Sequence, residues 1–263
     1  MQILKKIILK YIFNKMALKE WFREWFSSPY YDLLYYKRNE QEAATFAKIL
    51  IQHLSPPTGS AILDVACGKG RHSKVLAAMG FDVTGIDLSE PFINEAKKFE
   101  SANLHFFQHD IRLPFYINYF DYAFNFFTSF GYFHTRREHD SAMRTIAQSL
   151  KPHGIFVIDY LNTHYVEEHL VKSEELPLDS VLFHITRWHD EEHFFKQIQL
   201  KQSDTSLKHL TTEKVAKFSL GDFTEMLAYQ QMQVQEVFGD YKLGHYDVRK
   251  SPRMIIIAKK IVH

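Results

Sequence analysis

Apolar positions recur along this chain in two rhythms that take turns. Short, nearly continuous apolar runs, Ile62 to Val65, Phe81 to Ile86, Leu104 to Gln108, Phe120 to Phe127 and Ile155 to Asp159, have the length and composition of strands buried on both faces. Between them, Arg71 to Met79, Ser89 to about Glu100 and Arg136 to Leu150 read as helices. In the last of these, Met143, Ile146, Ala147 and Leu150 share one face. Ser89 caps its helix, with Pro91 in the first turn. Strand and helix in alternation predict a parallel sheet with crossover helices. Ahead of it, Lys19 to Phe26 forms a short aromatic helix stopped by Ser27-Ser28-Pro29. Tyr30 to Leu54 is a longer helical region ended by Pro56-Pro57-Thr58-Gly59. From about His164 to Val215 the rhythm changes. Val181 to Trp188 and His193 to Leu200 are strand-like and flank the polar turn His189-Asp190-Glu191-Glu192, which is hairpin grammar. Phe218 to Thr224 opens a last helix, running to about Gln231, and Gln233 to Phe238 with Arg253 to Ala258 form a closing strand pair.

The expected fold is therefore α/β. It has three layers around a seven-stranded, mostly parallel sheet with its last strand antiparallel. Residues 1–55 form an N-terminal helical segment, 56–163 the ligand-binding core, 164–217 a small antiparallel β lobe inserted after strand five, and 218–263 the C-terminal helix and closing strands.

Composition narrows the class without changing the picture. With 263 residues, 46% of them hydrophobic and 24% charged, the chain can bury a full core. A net charge of +1 argues against a dedicated nucleic-acid surface. The one cysteine, Cys67, leaves no internal disulfide and suits a reducing, cytoplasmic setting. Met1 to Lys15 alternates basic and apolar residues. Its longest apolar run is far short of the ~20 residues of a membrane span. Two readings stand: a basic amphipathic helix lying on a membrane surface, or a translation start at Met16 that leaves 1–15 extraneous. Membrane contact is expected only under the first.

The chemistry concentrates at Ile62-Leu63-Asp64-Val65-Ala66-Cys67-Gly68-Lys69-Gly70-Arg71. Strand, glycine turn and helix in that order bring bare backbone to a ligand at a helix N-terminus. Asp87 closes the next strand about 20 residues past the turn, where a carboxylate can take both hydroxyls of a ribose. A nucleoside-containing ligand at the carboxyl end of the sheet follows. A dinucleotide site usually adds a third glycine; here Ser73 stands there, and Arg71 and His72 crowd the turn. Asp64 also suits a cation better than a pyrophosphate.

At this point the chain resembles the class I S-adenosylmethionine-dependent methyltransferases. Leu63 to Gly70 is similar to their first motif and Gly85-Ile86-Asp87-Leu88-Ser89 to their second. The resemblance implies a Rossmann-like core, S-adenosylmethionine as cofactor, S-adenosylhomocysteine as product, and methyl transfer by in-line displacement to oxygen or nitrogen of a small molecule. It gives Asp64, Ala66, Cys67, Gly68 and Gly70 to the methionine end of the cofactor, together with Tyr31 and Arg38, whose guanidinium can pair with a carboxylate. Asp87 and Leu88 then serve the ribose, Asp110 and Ile111 the adenine, and Asn125, Phe126 and Phe127 the sulfonium. Tyr35, Phe130, Tyr132 and Tyr160 fall on the acceptor side. No Asp/Asn-Pro-Pro-Tyr/Phe tetrapeptide follows strand four, which counts against exocyclic amines of DNA and glutamine side chains as acceptors.

Aligning the two reactants can itself supply on the order of 7–11 kcal/mol of the acceleration. No fixed triad is needed. His134 is the first candidate for a base, with His164 and Tyr160 behind it. His189 and His193 flank acidic residues, but two histidines four apart share a face only on a helix, and this segment reads as a turn. No metal is expected there, nor from His184, His134 or His139. The alternatives are a non-catalytic S-adenosylmethionine-binding or partner-binding protein of this fold, an RNA or protein methyltransferase needing an electropositive rim, and a nicotinamide or flavin enzyme. The sequence is silent on the acceptor and the oligomeric state.

Overall fold

A computed structural model describes residues 20–35, 40–178, 181–201 and 207–261. Arg38 and the Met1–Lys15 segment lie outside the described residues. A seven-stranded sheet runs through the centre. Its strands are β1 (Ala61–Val65), β2 (Asp82–Asp87), β3 (Leu104–Gln108), β4 (Phe120–Asn125), β5 (Leu150–Leu161), β10 (Met232–Phe238) and β11 (Arg253–Lys260), in the order β10-β11-β5-β4-β1-β2-β3. The β1, β2, β3, β4 and β5 ladders are parallel, and β11 lies antiparallel between β5 and β10.

Successive side chains of these strands go to opposite faces, and each face is apolar. Leu63, Ala123, Phe156, Ile158 and Ile256 pack with Met143 and Ile146 of α6 (Arg136–Ser149) and Phe223 and Met226 of α8 (Leu220–Ala228). Ile62, Phe124, Val157, Ile255 and Ile257 pack with Phe46 and Leu50 of α3 (Glu40–Leu54), Leu76 of α4 (Arg71–Ala78) and Ile93 of α5 (Glu90–Ala96). Two-sided burial explains why the central strands carry almost no polar alternation. The ligand crevice of such a sheet lies where β1 and β4 diverge, at their carboxyl ends.

The 30–54 stretch is interrupted. Helix α1 (Trp21–Trp25) is followed by α2 (Pro29–Leu34), started by Ser28, whose side chain accepts from the Tyr30 amide, and then by α3. Strand five begins at Leu150, earlier than the sequence suggests, because Leu150 pairs with Phe120 before a register shift and a left-handed His153 (φ 64°). No helix among the described residues is long and apolar enough to cross a membrane.

Past β5, α7 (Thr163–Glu168) leads to a four-stranded antiparallel sheet of β6 (Ser173–Leu178), β7 (Val181–His189), β8 (His193–Lys201) and β9 (Leu207–Ala216), in sequential order. The sequence reading contained only β7 and β8. β6 carries a proline and two glutamates, as edge strands do, and β9 is half charged or polar. One face of this sheet, Phe183, Ile185, Ile198 and Leu200, packs against Trp25 and Leu34 of α1 and α2. Glu213 ties the two together, accepting from Trp25 Nε1 at 2.7 Å and from the Tyr35 hydroxyl at 2.8 Å. Lys196 in turn donates to the Tyr35 oxygen at 2.6 Å. At the far end, Ala216 donates its amide to Gly131 at 2.8 Å and its carbonyl accepts from Tyr160 at 2.6 Å.

Glu213→Ala removes the carboxylate to which the Trp25 indole and the Tyr35 hydroxyl donate, a loss of roughly 1–3 kcal/mol. The expected result is a lowered urea midpoint, with the m-value unchanged if α1 and α2 stay docked.

Candidate active site

The carboxyl end of β1 turns into a cradle. Ala66 (φ 58°), Gly68 (φ 58°) and Gly70 (φ 75°) are all left-handed, which bends the chain back before α4 starts. A Cβ on Gly70 would strike the Phe106 ring of β3, so only glycine fits there. Asp87, at the end of β2, fixes the bend: its carboxylate accepts from the Gly68 amide at 2.9 Å and from the Ser89 amide at 2.8 Å. Burial pushes its pKa up, and those amides pull against the rise. Asp64 is 2% exposed and accepts from Ser73 Oγ at 2.5 Å. Burial raises its pKa to about 6; the Ser73 bond opposes this and the nearby Asp87 charge adds to it.

Opposite the cradle stands the turn after β4. Phe127 and Thr128 are consecutive non-glycine residues at φ 57° and 58°, each costing roughly 1–3 kcal/mol. The Phe127 ring lies 4.8 Å from the Arg71 guanidinium and 5.2 Å from the His72 ring. His72 also lies 4.8 Å from Phe126, and its Nε2 is buried without a hydrogen-bond partner among the described residues. Burial, with Arg71 adding to it, pushes its pKa down to about 3, so the imidazole is neutral. At the third corner, Asp110 receives Arg112 in bidentate fashion, with contacts of 3.0 and 2.6 Å. Burial raises the Asp110 pKa, but the Arg112 bonds and charge outweigh it and hold the carboxyl below its usual value. Arg112 also reaches Glu20 at 2.6 Å and Glu138 at 2.9 Å, pinning α1 over this corner.

Between these elements lies a cavity of about 620 Å³. Of the residues singled out from the sequence, Tyr31, Tyr35, Asp64, Ala66, Cys67, Gly68, Asp87, Leu88, Asp110, Ile111, Phe126, Phe127 and Tyr132 line it. Gly70 does not; it lies beneath, against Phe106. Asn125 is buried behind the wall, where its Nδ2 donates to the Val65 carbonyl at 3.0 Å and joins β4 to β1. Phe130 turns into the core against His139, Phe218 and Phe223. Tyr160 stays in the core because β5 runs on to Leu161 and spends the hydroxyl on Ala216. His134 is not on the cavity wall, and its Nε2 is buried without a hydrogen-bond partner among the described residues. His164 is exposed on α7.

The cavity also takes residues the sequence reading left out: Arg71, His72, Phe22, Phe26, Phe92 and Ser129. Helix α4 begins at Arg71, so the two residues that seemed to crowd the turn are in its first turn and face the wall. Phe22 and Phe26 arrive from α1, which no motif links to the turn. Among the described residues, no group of three or more His, Cys, Asp or Glu side chains is arranged to hold a metal ion.

A crevice at the switch between β1 and β4, with a glycine turn on one strand and a carboxylate on the next, defines a nucleoside-binding crossover unit. Residues 62–154 match the family model described as a methyltransferase domain. Over 131 residues the chain is 34% identical to the dTDP-3-amino-3,4,6-trideoxy-α-D-glucopyranose N,N-dimethyltransferase of Streptomyces venezuelae, covering 49% of this chain and 54% of that protein. The chain thus spans about half the length of this curated relative. Its fold superposes on an S-adenosylmethionine-dependent methyltransferase from Clostridium acetobutylicum with a TM-score of 0.73, at 17% identity over 89% of this chain and 96% of that one. It also superposes on an amino pentose methyltransferase from Micromonospora echinaspora, solved with S-adenosylmethionine bound, with a TM-score of 0.64 at 18% identity over 89% and 97%. Residues 62–154 are thus matched as a methyltransferase domain, and the chain has the Rossmann-like fold of the class I S-adenosylmethionine-dependent methyltransferases.

Asp64 carries a pH signature. With its folded pKa raised from 3.8 to about 6, the protonated form is the one the fold favours. That contribution is complete below about pH 4 and is lost as pH rises through about 6, on the order of 3 kcal/mol in all. Relative to wild type, Asp64→Asn should gain stability by this order between pH 4 and pH 7, read as the difference in urea unfolding free energies.

Proposed function

We propose that the protein transfers the methyl group of S-adenosylmethionine to a nitrogen atom of a small amine. The observation that carries this reading is the composition of the cavity wall. Beside the glycine cradle stand the rings of Phe26, Tyr31, Tyr35, Phe126 and Tyr132. Tyr31 lies 4.8 Å from Tyr35 and 5.0 Å from Phe26, and Phe26 lies 5.6 Å from Tyr132. Aromatic faces attract a cation. They suit both a sulfonium and the ammonium that develops on an amine acceptor. The relatives support the same choice, since two of them are named for amino sugars.

The donor set fits the cofactor. Asp87 already receives the Gly68 and Ser89 amides, and a ribose diol is the natural complement of its remaining oxygen lone pairs. Asp64, once ionised, is a partner for an α-ammonium group, reached directly or through water. Arg71 and the first amides of α4 offer an anion seat for the α-carboxylate. Leu88, Asp110 and Ile111 flank the remaining corner, where the adenine is accommodated. S-adenosylmethionine supplies a methyl on an excellent leaving group. The chain's share of the work is to hold both partners in line and keep bulk water out, and α1 and the rings of Phe22 and Phe26 cover the cavity for that purpose. The amine's proton can leave to solvent.

Calorimetry should find S-adenosylhomocysteine binding to wild type and binding weakened roughly ten- to hundredfold in Asp87→Ala. A panel of amino sugars and small amines with methyl-labelled cofactor should yield a labelled N-methyl product. Tight cofactor binding with no product across amines and alcohols alike would leave a binding protein instead. Labelling confined to hydroxyl acceptors would move the reading to oxygen.

A further inference from the structure

The Phe127–Thr128 turn is held by residues that do not touch the cavity. Asp159, at the end of β5, is fully buried and points its carboxylate at the turn. Oδ2 accepts from the Phe127 amide at 2.7 Å and from the Tyr241 hydroxyl at 3.1 Å. Oδ1 accepts from Arg253 Nε at 2.7 Å, and Arg253 Nη2 lies 2.6 Å away. The backbone carbonyl of Asp159 accepts from the Thr128 amide at 3.0 Å. Arg253 closes the ring by donating from Nη2 to Thr128 Oγ1 at 2.9 Å. Tyr241 stacks on the other side of the turn, its ring 5.0 Å from that of Phe127. Asp159, Tyr241 and Arg253 all lie beyond the 62–154 segment that matches the methyltransferase domain, and none of them lines the cavity.

Left-handed backbone at two adjacent side-chain-bearing residues persists only where the surroundings over-determine it. Here the Phe127 amide and the Thr128 hydroxyl are taken by the Asp159–Arg253 ion pair, and the Thr128 amide by the backbone carbonyl of Asp159. We propose that Asp159 and Arg253 are positioning residues: together they hold Phe127 and Thr128 left-handed, and so set the Phe127 ring as the wall against which Arg71 and His72 face the cofactor. The role rests on the cofactor reading of the cavity. A plain core ion pair would add to stability, whereas this pair decides the shape of the wall. Without it the turn relaxes to negative φ and the ring swings away from Arg71.

The test is rescue. Asp159→Asn keeps the side chain's shape and weakens the grip on Arg253 and the Phe127 amide. Folded Asp159→Asn should bind S-adenosylhomocysteine on the order of tenfold more weakly than wild type. Thr128→Gly in that background should recover most of the loss, because glycine adopts positive φ without a steric penalty. If Asp159→Asn does not fold, Arg253→Lys takes its place in the same pair of measurements. A folded variant with wild-type affinity, or a loss that Thr128→Gly does not recover, overturns the proposal. Amide exchange supplies a readout free of any ligand: Phe127 and Thr128 should be protected in wild type and lose protection first in Asp159→Asn. Should wild type fail to bind S-adenosylhomocysteine, the cofactor reading falls, while the exchange result still decides whether the clamp holds the turn. Unchanged protection at both amides would sink it.

Discussion

Carboxylates taken out of water must find donors, and at the carboxyl edge of this sheet that requirement shapes the site. Asp87 ends β2, Asp64 and Asp159 lie just before the ends of β1 and β5, and each is held by hydrogen bonds from the segment it faces. Asp87 draws the Gly68 amide and Asp159 the Phe127 amide, so the two turns on either side of the crevice are pulled into left-handed backbone by side chains on neighbouring strands. The hydrogen bonds between them offset both the strain of those turns and the desolvation of the acids. Neither would persist alone.

The three carboxylates differ in what is left over for a ligand. Asp159 spends its oxygens on Phe127, Tyr241 and Arg253 and is a structural anion. Asp87 keeps lone pairs facing the cavity beside its two amide donors. Asp64 accepts from the Ser73 hydroxyl, and burial raises its pKa to about 6. Identical side chains thus divide into a brace, a half-satisfied acceptor on the cavity wall and a carboxyl with a raised pKa, through the donors each strand geometry leaves within reach.

Much of the sheet was legible because two-sided burial writes itself as apolar runs, and the glycine turn because its backbone admits few residues. Asp64, Gly68 and Asp87 were readable as cavity-lining residues for that reason: they lie within one crossover unit. The Asp159–Arg253 pair was not, being separated by 94 positions with no pattern between. Tyr160 and Phe130 misled because residues emerging from a strand end look like site residues. The strand in fact continues to Leu161, and the bend at Gly131 (φ 92°) sends Phe130 inward. Arg71 and His72 were read as obstacles to one ligand, and the structure puts the same bulk in the cavity wall. The outer strands β6 and β9 stayed hidden, because a half-exposed edge carries charges and proline where a core strand carries valine and isoleucine.

The chain leaves the central sheet near Asn162 and comes back at Ala216, and both points are fastened. Asn162 donates to the carbonyls of Val248 and Ser251 at 2.9 and 2.8 Å, and Ala216 is bonded on both sides to Gly131 and Tyr160. Everything between these moorings is a detachable cassette as far as the sheet is concerned. Insertions, deletions or wholesale replacement of that stretch can be accommodated without disturbing the strands that carry the glycine cradle, so long as the moorings survive. None of that stretch lines the cavity; what it holds in place is α1 and α2, through Trp25 and Leu34.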